Sequence, residues 1–167
     1  MIKSIVLIGM PGCGKSVIGE IIAEKIKMTF IDLDTYISES TKSTIAELFE
    51  NGEESFRDIE SKVVVELSEK APVLIATGGG VIKRNENILN LKKNGIIIYI
   101  NRPMENITKD IDVLIRPLLS KDPSQINKLL EERGHLYKKY CDYEVVNTGS
   151  IDDIVNNIIE IHTLINK

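Results

Sequence analysis

Cysteine is scarce in this chain of 167 residues: only Cys13 and Cys141 occur. Two thiols are too few for a disulfide framework or a cysteine zinc site. Cys13 reads as a small side chain in a variable loop position, and Cys141 as a small core filler beside a strand. Histidine is equally rare, with two residues. Neither His135 nor His162 has a metal-ligating partner four residues on, and both are expected on helix surfaces. Positive charge is not in excess, since 21 Lys and Arg face 25 Asp and Glu for a net charge of −4. That argues against a nucleic-acid binder, which usually carries a basic face. An anionic ligand would have to be met by local Arg or Lys rather than by a global field. No apolar run approaches a membrane span. With no charged-then-apolar leader at the N-terminus, the expected compartment is the cytoplasm. Internal repeats, low-complexity tracts and dividing linkers are also missing. The length and the 43% apolar content then predict a single domain over residues 1–167.

What is present is concentrated near the start. Gly9-Met10-Pro11-Gly12-Cys13-Gly14-Lys15-Ser16 fits G-x-x-x-x-G-K-[ST], directly after the apolar run Ile5–Ile8 and before an amphipathic segment, Val17 to Ile26. A phosphate-binding loop needs that order of strand, glycine-rich turn and helix. The glycines let successive N–H groups point at phosphate oxygens, and the helix start adds its positive dipole end. Lys15 can reach the β- and γ-phosphates, and the Ser16 hydroxyl can ligate Mg²⁺.

Strand and helix signals alternate along the rest. Ile5–Ile8, Phe30–Leu33, Val73–Ala76, Ile96–Ile100 and Tyr143–Val146 read as strands. Thr44-Ile45-Ala46-Glu47 is a capping box for a helix that Asn51-Gly52 ends. Glu53–Lys70 sets Phe56, Ile59, Val63 and Leu67 on one face. Asp122-Pro123 opens a helix to about Tyr140, and Ser150 caps the last one. This alternation means a parallel sheet covered on both sides, with ligands at the carboxyl ends of the strands. The polar, proline-containing stretch at about 106–121 reads equally well as a lid over the ligand or as a surface loop.

Other residues could complete a site. Asp32 and Asp34 end the second strand, where residues two apart face one side. One acid could hold Mg²⁺ through water and the other orient a substrate hydroxyl; Asp34 also has an ordinary reading as a helix cap. Arg57, beside core positions, is normally a solvated or stem-packed side chain, but its fork would suit a carboxylate. Gly78-Gly79-Gly80 after a strand permits close approach of a ligand. Arg133 reads on its own as an exposed helix pair with preceding acids.

Taken together, this set resembles the shikimate kinase family over nearly the whole chain. The resemblance rests on Gly9–Ser16, Phe30-Ile31-Asp32-Leu33-Asp34, Phe56-Arg57, Thr77-Gly78-Gly79-Gly80, Arg116-Pro117-Leu118-Leu119, and Arg133 with Tyr137. It implies an α/β three-layer fold of the P-loop, nucleoside monophosphate kinase type, with a five-stranded parallel sheet in the order 2-3-1-4-5. The implied activity is transfer of the γ-phosphoryl group of ATP to the 3-hydroxyl of shikimate, a step toward chorismate and the aromatic amino acids. ATP would lie on Gly12, Cys13, Gly14, Lys15, Ser16 and Val17, with Arg116 approaching the phosphates from the lid. Asp34 would hold substrate hydroxyls and receive the proton, while Lys15 and Arg116 stabilise the group in flight. Arg57 and Arg133 would clamp the carboxylate, with the Gly79 backbone beside them. Ser16, and Asp32 through water, would serve one Mg²⁺. Lys109 stands where the family often has an Arg that stacks on adenine, and Asn147–Ser150 resembles a short adenine loop. The partners implied are ATP and shikimate, without nucleic acid or membrane, for a chain expected to act as a monomer.

Rival readings meet the sequence less well. Another small-molecule kinase of the same fold, acting on gluconate or a nucleoside monophosphate, is the nearest. A GTPase-like switch needs Asn-Lys-x-Asp, and Asn106-Ile107-Thr108-Lys109-Asp110 has the wrong spacing. A binding module without catalysis would have no use for the acid pair and the two arginines.

Overall fold

A computed structural model describes residues 2–70, 72–110 and 123–167. Five parallel strands form one sheet: β1 (Ser4–Ile8), β2 (Thr29–Asp32), β3 (Val73–Ala76), β4 (Gly95–Asn101) and β5 (Tyr143–Val146), in the order β2-β3-β1-β4-β5. This is the expected order. Register follows Ile5 opposite Leu74 and Ile96, and Phe30 opposite Leu74. The central strand β1 is buried at every position, so helices must cover both faces of the sheet. Continuous Ile, Val and Leu runs suit a strand buried on both sides, because β-branched side chains pack well on a pleated surface. The edge strands β2 and β5 are more exposed.

The helices are α1 (Lys15–Ile26), α2 (Leu33–Thr41), α3 (Ile45–Glu50), α4 (Glu53–Ser68), α5 (Asn85–Asn94), α6 (Met104–Asp110), α7 (Pro123–Tyr140) and α8 (Ile151–Ile165), with a 3₁₀ turn at Val81–Lys83. The two capping boxes form as their spacing implies. Thr44 Oγ1 accepts from the Glu47 N–H while Glu47 accepts from the Thr44 N–H, and Ser150 and Asp153 do the same. Phe56, Val63 and Leu67 are buried along one face of α4, with Ile59 packed at the margin. Helix α5 carries no clear opening signal and was legible only at its end, Asn94-Gly95.

Three expectations need correction. The strand β2 stops at Asp32, whose side chain caps α2 by accepting from the Thr35 N–H at 3.1 Å. The cap is therefore Asp32, and Asp34 sits in the first turn of α2 rather than on the strand. A capping oxygen must precede the N2 and N3 amides, and Asp32 is the residue so placed. His162 is buried, not on the surface: its Nε2 lies 2.9 Å from the Lys3 carbonyl and ties α8 to the start of β1. Arg57 is buried too, as the site explains. The stretch 106–121 begins as the end of α6, while Arg116 and the rest of 111–122 lie outside the described residues.

Candidate active site

The phosphate loop curls at the carboxyl end of β1. Gly12 and Gly14 take φ of +82° and +99°, backbone that L side chains rarely adopt. Gly14 also stands at the start of α1 without a side-chain cap, so the first-turn N–H groups are left facing the loop, as a phosphate site requires. Lys15 is buried and reaches across the loop, with Nζ donating to the Gly9 and Met10 carbonyls at 2.9 and 3.0 Å. Cys13 Sγ lies 3.6 Å away, and that thiol is fully buried. Val17 is exposed on the outer side of α1.

Two further ties brace the loop; nothing in the sequence marked Arg102, and Asn147 was read only as part of a short adenine loop. Arg102, just after β4, donates from Nη1 to the Gly12 carbonyl at 3.2 Å. Asn147, just after β5, donates from Nδ2 to the Cys13 carbonyl at 3.0 Å. Both residues end strands beside the loop, so only the sheet order brings them to it.

Ser16 Oγ donates to Asp32 Oδ2 at 2.5 Å. The hydroxyl and the carboxylate thus stand together at the loop, while the other oxygen of Asp32 is spent on the α2 cap. Asp34, in the first turn of α2, reaches the glycine run. A Cβ on Gly78 would stand 2.9 Å from its Oδ1.

Arg57 has an unusual setting. It is only 5% exposed, with Nε and Nη2 donating to Glu53 Oε1 at 3.3 and 3.2 Å and Nη1 to Glu60 Oε2 at 2.8 Å. Its guanidinium carbon lies 5.1 and 5.7 Å from the ring centres of Phe56 and Phe49, which stack on each other. Two carboxylates and two aromatic faces account for burial of a charge that would otherwise be very costly. Three of its five N–H donors are used among the described residues, leaving one on each Nη. Glu53, Arg57 and Glu60 lie at helical spacing on α4, and that i, i+4, i+7 pattern was the available signal for the pair of acids.

The electrostatics follow from burial. Glu60 is fully buried; desolvation raises its pKa above the ordinary carboxylate value, against the pull of Arg57. Its Oε1 makes no hydrogen bond among the described residues. Glu53 is shifted down instead, first by the hydrogen bond from Lys83 and then by Arg57. Lys83 Nζ sits 2.5 Å from the same Oε1 that Arg57 uses.

The glycine run has a different explanation from a general ligand approach. Each glycine makes room for a side chain of this chain: Gly78 for Asp34, Gly79 for Pro11 of the phosphate loop, and Gly80 for the Arg57 guanidinium. The Gly79 carbonyl accepts from the Tyr137 hydroxyl at 2.5 Å, bringing α7 and Arg133, one turn earlier, to the same place. Asp34 and Arg57 thus both pack on the glycine run, with Pro11 of the phosphate loop against Gly79 and Arg133 on the helix that Tyr137 ties to it. Arg116 lies outside the described residues.

Among those residues there is no group of three or more His, Cys, Asp or Glu able to hold a metal, and no helix is long and apolar enough to cross a membrane.

Comparison with known proteins agrees with this geometry. A family model described as shikimate kinase matches residues 11–163. A shikimate kinase of Clostridium botulinum (strain Eklund 17B / Type B) is 53% identical over 161 residues, covering 96% of this chain and 98% of the relative. Among solved structures, the shikimate kinase from Acinetobacter baumannii in complex with shikimate is 34% identical, covers 100% of this chain and 96% of that one, and superposes with a TM-score of 0.90. The Aquifex aeolicus enzyme is 32% identical, with coverage of 98% and 97% and a TM-score of 0.83. A gluconokinase from Sinorhizobium meliloti, at 15% identity and a TM-score of 0.62, shares the fold alone. On its sequence and its sheet order, the chain belongs to the shikimate kinase family.

Proposed function

We propose that the chain transfers the γ-phosphoryl group of ATP to the 3-hydroxyl of shikimate, working in the cytoplasm as a monomer. The observation that carries this reading is the packing of the glycine run between Asp34 and Arg57 on one side and Pro11 of the phosphate loop on the other. That packing supports a reading in which an acid and an arginine meet one small molecule beside the phosphates.

Phosphoryl transfer asks for in-line positioning and charge neutralisation more than for covalent chemistry. The first-turn amides of α1 and the loop from Gly12 to Val17 hold the phosphates. Lys15 leaves the Gly9 and Met10 carbonyls for the β- and γ-phosphate oxygens, where it offsets charge spreading onto the moving group. On the acceptor side, Arg57 offers its two remaining N–H groups to the substrate carboxylate, with Arg133 opposite. The glycine backbone at Gly79 fixes the ring, and Asp34 orients the 3-hydroxyl and accepts its proton as the O–P bond forms. A lid over 106–121 would exclude water and limit ATP hydrolysis, with Arg116 reaching the phosphates from it.

Mg²⁺ fits the residues present. The Ser16 hydroxyl donates its hydrogen bond to Asp32 and keeps its lone pairs for a hard cation, and each Asp32 oxygen, though it already accepts one hydrogen bond, keeps a second lone pair for a metal-bound water. Bound with ATP, Mg²⁺ would neutralise phosphate charge.

A coupled ADP-release assay with shikimate, gluconate and nucleoside monophosphates tests the proposal. ADP release that depends on shikimate, with the other acceptors near background, supports it. Equal or greater turnover with another acceptor would move the chain to a different kinase activity.

A further inference from the structure

We propose that the Tyr137 hydroxyl is a positioning group for the acceptor, holding the Gly79 peptide and the Arg133 guanidinium in register for the carboxylate-bearing substrate. This rests on the shikimate reading above and deepens it.

The run Gly78–Gly80 has no side chains and the greatest backbone freedom of any triplet. Its own turn bonds, Val81 N–H to the Gly78 carbonyl and Lys83 N–H to the Gly80 carbonyl, curl it locally but anchor it to no other element. Among the described residues, the bond from Tyr137 at 2.5 Å is the one that ties the Gly79 carbonyl to another element. Tyr137 is itself fixed. Its side chain is fully buried, and its ring stacks on Tyr99 with centroids 5.3 Å apart and planes 20° from parallel. Burial raises its phenol pKa far above the ordinary value, against the pull of the nearby Arg133 charge, so it stays a donor throughout the neutral range. Arg133, one helical turn before Tyr137 on α7, has its Nε buried with no hydrogen-bond partner among the described residues. Tyr137 therefore ties the loop after β3, with Gly79, to α7, the helix that carries Arg133, and both of those residues are assigned to the acceptor. A buried phenol needs only one partner to be satisfied; spending it on the Gly79 carbonyl, one helical turn from Arg133, is what a positioning role adds.

The test is steady-state kinetics of Tyr137→Phe, with Tyr99→Phe as the neighbouring hydroxyl deletion. Loss of one well-formed bond to the loop raises the shikimate KM of Tyr137→Phe by about tenfold. The ATP KM and kcat stay within about threefold, and Tyr99→Phe leaves the shikimate KM unchanged. An unmoved shikimate KM overturns the inference. So does an equal rise for both substrates, an equal effect of Tyr99→Phe, or loss of folding in Tyr137→Phe, since each marks a structural strut. If the wild-type chain turns over no shikimate, the proposed function falls with it; wild-type turnover with an unmoved variant KM sinks only the role of Tyr137.

Discussion

Gly80→Ala asks whether the Arg57 guanidinium is held where the substrate meets it. Gly80 has φ −103° and ψ 3°, a conformation alanine can adopt, so backbone strain is not the issue. The added Cβ would stand 2.5 Å from Arg57 Cζ and 2.7 Å from Nη1, and nearer still to Nη2. Carbon contacts settle at about 3.5 Å, so the guanidinium must retreat by roughly 1 Å. A free arginine tip would move at little cost. This one is bonded to Glu60 at 2.8 Å and to Glu53 at 3.2 and 3.3 Å, and lies against two aromatic rings. A shift of that size takes at least one of these bonds past hydrogen-bonding distance. Hydrogen bonds to charged groups are worth about 1.5–3 kcal/mol. Stability should fall by about 2 kcal/mol, and displacement of the carboxylate clamp should raise the shikimate KM roughly 10- to 30-fold with the ATP KM almost unchanged. The assays are coupled ADP release and urea denaturation. Gly52→Ala is the matched control, because Gly52 has φ +98° with nothing near its Cβ. It should cost about 1–2 kcal/mol of backbone strain and leave the shikimate KM alone. A Gly80→Ala enzyme with wild-type shikimate KM, or with both KM values raised alike, would refute the reasoning.

Other expected outcomes follow from the same geometry. Arg57→Ala should weaken shikimate binding far more than ATP binding; equal losses would mean its role is misassigned. Asp34→Asn should lower turnover by about 10²–10⁴-fold, the usual worth of a positioned proton acceptor, with its thermal unfolding unchanged; near-normal rates would remove it from the mechanism. Glu60 sets a pH dependence. Its folded pKa is raised above the reference of 4.5, so the folded state binds more protons and Glu60 costs stability as pH rises from about 4.5 through the raised value. In urea titrations across that window, wild type should lose ground to Glu60→Gln as pH rises, and a flat or opposite difference would contradict the burial argument.

The fold was legible because its signals are local. Period-2 and continuous apolar runs marked β1, β3 and β4, and reciprocal Thr44–Glu47 and Ser150–Asp153 spacing marked helix starts. The phosphate loop was legible as a contiguous motif whose backbone geometry its glycines require. The acceptor half was less so. Asp34 was assigned to a strand because Asp32 and Asp34 share a period of two, whereas the cap at Asp32 turns the chain one residue sooner. Arg57 looked solvated because its partners Glu53 and Glu60 read as ordinary surface acids. Helical spacing alone does not say which face is buried. Gly80 and Tyr137 depend on contacts between elements far apart in sequence, and Arg102 and Asn147 reach the loop only because β4 lies beside β1 and β5 beside β4. No local pattern encodes these.

The most direct test of the central claim is to identify the phosphorylated product. Wild-type protein incubated with ATP, Mg²⁺ and shikimate should yield one phosphate monoester, whose ³¹P signal couples to the proton on C3 of the ring. Phosphate on a different hydroxyl, or inorganic phosphate alone, would contradict the account of Asp34, Arg57, Gly79 and Arg133 as an acceptor site facing the phosphate loop.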